Sequence, residues 1–188
     1  MISLISVFWA LVLIFAVIGL MRGWAKELMV TFSVFVAIMS IELVHTYFLP
    51  QPPTQKTDFL WRAAVVLALV FFGYETPAAL SRVRGGGFTR EKIQDALLGF
   101  VLGALNGYLI VGTLWYYLAQ AGYPFDFIID PQLIAIKTPD GGCDTTFSQA
   151  LAAEVERFLV YMPPIFLKPP LIYFAVALSF IFVIVVFV

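Results

Sequence analysis

Four polar residues, Glu42, His45, Glu75 and Asn106, stand inside otherwise apolar stretches of this chain, where an ionisable or amide group is costly and therefore a candidate for function. Glu42 and His45 are three positions apart, so on a helix they share a face and can pass a proton or a cation between them. Glu75 lies two residues before Pro77, whose ring frees a backbone carbonyl in the preceding turn. Glu42 and His45 together describe a proton or cation relay. The plainer reading is that Glu42 and His45, close to Tyr47 and Pro50, reach headgroups or water, and that Glu75 pairs with Arg82 near the opposite surface.

Other chemistry is short of parts. His45 is the only histidine, so a multi-histidine metal site cannot form within one chain. A single ring nitrogen is at most an axial ligand for a pigment macrocycle, and no other cofactor is expected. Asp140, Cys143 and Asp144 set two carboxylates and a thiol on a turn, which reads as a solvated loop and not as a metal centre. The run from Arg84 through Gly85, Gly86 and Gly87 to Thr89 offers free N–H groups at a helix start but lacks the Gly-Lys-Ser/Thr ending of a nucleotide-binding loop. With Arg82, Arg84, Arg90 and Lys92 around it, lipid phosphate is the expected ligand, beside the plain reading of a basic turn. With no nucleophile–base pair, metal cluster or cofactor motif, the expectation is a protein that is not an enzyme.

The elements that hold these residues follow from composition. Of 188 residues, 62% are hydrophobic and 12% charged, against about 45–50% and about 25% in ordinary soluble domains. Eleven basic residues against twelve acidic ones leave a net charge of −1, which argues against nucleic acid as a partner. A hydrocarbon core about 30 Å thick needs roughly 20 apolar residues. Five runs qualify, at residues 2–21, 28–49, 63–80, 96–119 and 171–188. The expected fold is therefore an all-α integral membrane protein, a polytopic bundle of five transmembrane helices. The first run lacks a basic start and a small-residue cleavage pattern, so it reads as a retained anchor.

Arg22 and Lys26 lie in the first link, and Arg82, Arg84, Arg90 and Lys92 in the third, which assigns both links to the cytoplasm and the N-terminus to the outside. The C-terminus then lies inside. The outer segment 120–170 opens with turn residues and continues as an amphipathic helix over 147–162. Thr146 and Gln149 fit a capping box, Phe147, Leu151, Val155, Phe158, Leu159 and Met162 form its apolar face, and Pro163-Pro164 ends it. Packing on the protein is favoured over the lipid surface, because anionic lipid repels Glu154 and Glu156. The chain thus divides into a four-helix core at 1–119, this loop at 120–170, and a C-terminal span at 171–188.

Gly99, Gly103 and Gly107 recur every four residues, which clears one face of the fourth helix for close backbone approach; Gly19 and Gly23 repeat the spacing once. The stripe serves packing within the chain or between subunits, or else faces a pore or a sliding interface.

The first hairpin, Gly19-Leu20-Met21-Arg22-Gly23-Trp24-Ala25-Lys26-Glu27-Leu28, resembles the opening signature of the colicin V production protein family. Asp95-Ala96-Leu97-Leu98-Gly99, followed by Gly103 and Gly107, is similar to that family's glycine helix. The resemblance covers residues 1–118 and singles out Arg22, Gly23, Glu27, Asp95, Leu98 and Gly99. It implies a small bacterial inner-membrane protein connected with colicin production or export and with the envelope, without known catalytic residues. The expected partners are the lipid bilayer and either further copies of the chain or other membrane subunits. Two alternatives stay open: an accessory subunit of an electron-transfer or photosynthetic complex, suggested by nineteen phenylalanines, and a small transporter or channel using Glu42, His45, Glu75 and Asn106.

Overall fold

A computed structural model describes residues 4–48, 54–80, 89–125, 136–137, 143–144 and 153–187. The helices are α1 (Leu4–Arg22), α2 (Trp24–Tyr47), α3 (Gln55–Leu80), α4 (Thr89–Gln120), α5 (153–159), α6 (Pro163–Phe166) and α7 (Leu171–Phe187). Two short strands, β1 (Ile136–Lys137) and β2 (Cys143–Asp144), pair antiparallel. Among the described residues, four helices are long and apolar enough to cross a membrane, and α7 is a shorter apolar helix. The chain is an all-α polytopic membrane protein.

Three helices begin earlier than their apolar runs. α2 starts at Trp24, not 28, α3 at Gln55, not 63, and α4 at Thr89, not 96. In the first two the extra turns carry charges that are paired in the fold: Glu27 lies against Arg22, and Arg62 against Asp58. A charge ends an apolar run in sequence, but a helix continues through it wherever a partner satisfies the group. α3 also runs on through Pro77. Of the amphipathic stretch 147–162, residues 147–152 lie outside the described residues, and the helix seen spans 153–159 before a turn leads to Met162.

α1 packs chiefly against α4, whereas α1 and α2, although consecutive, share little surface. A side chain at Gly19 would meet the Gly103 Cα at 2.7 Å, one at Gly103 would meet the Gly19 Cα at 2.9 Å, and one at Gly107 would meet the Val12 Cα at 3.0 Å. The glycine stripe of α4 thus faces α1 of the same chain, and the two helices run antiparallel. α2 rests on α3, α4 and α7. Its inward residues Val30, Val34, Ala37, Ile38 and Ile41 meet Val66 and Val70 of α3, Leu109 and Ile110 of α4, and Ile172 of α7.

A second cluster seats α5 on the bundle. Phe158 lies 5.2 Å from Phe8 of α1 and 5.6 Å from Trp115 of α4, ring to ring, and Val155 and Met162 are buried beside them. Tyr108 donates to the Tyr161 carbonyl, and Gly112 leaves room for Met162 and Pro163. Outward-facing side chains are largely apolar as well, including Leu13, Phe71, Val101, Phe174 and Leu178, as expected of helices whose outer solvent is lipid.

A candidate site of buried polar residues

The tightest joint of the fold positions the site. Gly23 alone separates α1 from α2, with φ 84° and ψ 160°, a region open essentially to glycine. Its N–H closes α1 on the Gly19 carbonyl at 3.0 Å. Because α2 restarts at once, Arg22 at the end of α1 and Glu27 in the first turn of α2 are brought together, Arg22 Nε lying 3.6 Å from Glu27 Oε1.

Glu27 is fully buried, and α4 reaches it through Asn106, also fully buried. The Asn106 amide nitrogen donates to Glu27 Oε2 and to the Glu27 carbonyl, both at 2.8 Å. Its amide oxygen accepts from the Thr31 hydroxyl at 2.7 Å, and the same hydroxyl lies 3.2 Å from the Glu27 carbonyl one turn back. α3 supplies Tyr74: the Arg22 guanidinium donates to its carbonyl at 2.8 Å and lies 4.2 Å from the centre of its ring. Four helices therefore meet around one carboxylate–guanidinium pair. Glu27 Oε1 and the Tyr74 hydroxyl are buried without a hydrogen-bond partner among the described residues.

Asp95 completes this end of the bundle by accepting a hydrogen bond from the Trp24 N–H at 3.0 Å. At the other end Arg62 of α3 is nearly as enclosed. It makes a two-point contact with Asp58, at 3.0 and 2.9 Å, donates to Gln120 of α4 at 2.9 Å, and stacks 5.1 Å from the Tyr117 ring. Trp61 donates to the same Asp58 oxygen at 3.0 Å.

The residues singled out from sequence separate into two groups. Arg22, Gly23, Glu27, Asp95, Gly99 and Asn106 converge on the α1–α2 joint, and Gly19, Gly103 and Gly107 continue from it along the α1–α4 contact. Glu42 and Glu75 are exposed and His45 is half-buried, and no hydrogen bond joins Glu42 to His45 among the described residues. Leu98 is exposed. Arg82, Arg84 and Asp140 lie outside the described residues, as does the expected pairing of Glu75 with Arg82; Arg90 and Lys92 fall on the first turn of α4, and Cys143 and Asp144 form β2. No group of three or more His, Cys, Asp or Glu gathers among the described residues.

Thr31, Tyr74, Asp58, Arg62 and Gln120 escaped the sequence reading. For Asp58 and Arg62 a signal existed, since opposite charges at i and i+4 share a helix face. Thr31 and Tyr74 act through contacts with other helices that no local spacing encodes.

Chemically, the joint is a desolvated ion pair with amide, hydroxyl and aromatic support, able to hold four helices in register and to bear a charge away from water. A family model described as colicin V production protein matches residues 6–132. That stretch contains all but the first two residues of α1, the whole of α2, α3 and α4, and every residue of the joint. No curated protein and no solved structure matches the chain.

Proposed function

The chain belongs to the colicin V production protein family, and from that premise we propose that it is a non-enzymatic component of colicin V production, acting at export or in upkeep of the cell envelope. The observation that carries this reading is the use made of the polar residues in the matched segment. Arg22, Glu27, Asp95 and Asn106 join helices to one another, as expected of a membrane scaffold. The chain sits in the bacterial inner membrane with its N-terminus outside and its C-terminus inside; the basic residues Arg22 and Lys26 at the α1–α2 joint, and Arg90 and Lys92 at the start of α4, support that orientation. Its partners are the bilayer and other membrane subunits or further copies of itself. Because Gly99, Gly103 and Gly107 face α1 within the chain, such contacts use the outer faces of the helices.

The test is colicin V release from producer cells that lack the chain. Complementation is expected to restore secreted activity, with colicin retained in the cells without it. Equal secretion with and without the chain overturns the reading.

A further inference from the structure

We propose that Glu27 is a proton-binding group that exchanges with the aqueous phase at the α1–α2 end of the bundle. The Glu27 side chain is fully buried, yet its two carboxylate oxygens are treated differently. Oε2 accepts from Asn106 at 2.8 Å; Oε1 has only the Arg22 Nε at 3.6 Å, beyond hydrogen-bond length, and no other partner among the described residues. Oε1 is thus the carboxylate oxygen left with lone-pair capacity for a proton. The Tyr74 hydroxyl, a second buried polar group without a partner, is carried by the ring against which the same guanidinium stacks. It lies beyond hydrogen-bond reach of Glu27 Oε1.

Exchange has a short way out beside Arg22. Its side chain is 23% exposed where that of Glu27 is 0% exposed, so the buried oxygen lies one side chain's depth from the surface of the bundle. The guanidinium is also held independently of Glu27, by the Tyr74 carbonyl and ring. Neutralising Glu27 weakens one of its three contacts and leaves the other two, so the site keeps its shape in both protonation states. The groups facing Glu27 are Arg22 from α1, Tyr74 from α3, and the neutral Asn106 from α4; Asp95 of α4 is one turn away on the Trp24 N–H, and Lys26 is its own chain neighbour. The one titratable side chain of α7 is Tyr173, near the start of that helix. A single cation thus opposes a single buried acid.

The experiment is a pH-difference infrared spectrum of the full chain reconstituted in phosphatidylcholine vesicles. A protonated-carboxyl stretch is expected to grow on acidification and to shift on transfer to deuterated water. It should vanish in Glu27→Gln and persist in Glu42→Gln. Should Glu27→Gln fail to fold, Glu27→Asp serves instead, and the band is expected to move. A spectrum with no titrating carboxyl band overturns the proposal, as does a band unaltered by Glu27 substitution or silent to deuteration.

Discussion

The carboxylate of Asp95 accepts a hydrogen bond from the backbone N–H of Trp24 at 3.0 Å, so a residue of α4 caps the N-terminus of α2 seventy-one positions earlier in the chain. Gly23, the residue in the capping position, has no side chain with which to do so. Asp95→Ala should therefore cost about 1 kcal/mol, the usual worth of a cap, and Asp95→Asn distinctly less. Thermal unfolding in detergent micelles measures both.

Gly23→Ala should be more damaging. The backbone there has φ 84°, and an added Cβ would come within 2.9 Å of all three atoms of the Asp95 carboxylate. Strain of about 1–3 kcal/mol combines with loss of the cap, and the expected outcome is a larger fall in unfolding temperature than for Asp95→Ala. An equal or smaller fall would count against the cap geometry.

Asn106→Leu removes both donors to Glu27 and the acceptor for Thr31, leaving buried groups unpaired at about 1–3 kcal/mol each. The expected loss exceeds that of Thr31→Val, which deletes one hydroxyl and leaves Asn106 on Glu27. A pair of denaturation curves separates the two.

At the other end of the bundle, Asp58→Ala strands Arg62, whose side chain is 11% exposed. Removing one partner of a buried pair costs about 3–5 kcal/mol, and the residual exposure, together with the bond to Gln120, brings the expectation to about 2 kcal/mol. Glu42→Ala, at an exposed position, should stay within about 0.5 kcal/mol. Unfolding of the two variants side by side checks the contrast.

Gly103→Val should push α1 from α4. The added side chain has the Gly19 Cα at 2.9 Å and the Phe15 carbonyl nearer still, and overpacking of this kind costs about 1–3 kcal/mol or more. A cross-link between cysteines placed on α1 and α4 should form less readily in the variant.

The helices were legible in sequence because lipid demands long uncharged runs, and the four-residue glycine spacing showed which face of α4 could approach a neighbour. What that neighbour was could not be read, since Gly19 and Gly103 meet only through the tertiary fold. The same limit hid the joint. Counting charges as interruptions placed Glu27 and Arg62 in loops, whereas each is enclosed by partners from other helices. Glu42 and His45 drew attention because they interrupt an apolar run in isolation, but an unpaired polar group in such a run is free to face outward, as Glu42 does. Glu27 was marked through the family resemblance; its enclosure by Asn106, Thr31 and Tyr74 depends on three helices that sequence spacing does not relate.

The single residue between α1 and α2 also bears on what can reach this end of the folded protein. A trans peptide advances about 3.8 Å, so the turn at Gly23 is a single step of the backbone, closed by the Asp95 carboxylate on the Trp24 N–H. It offers no loop for a protease, an antibody or an added tag to reach.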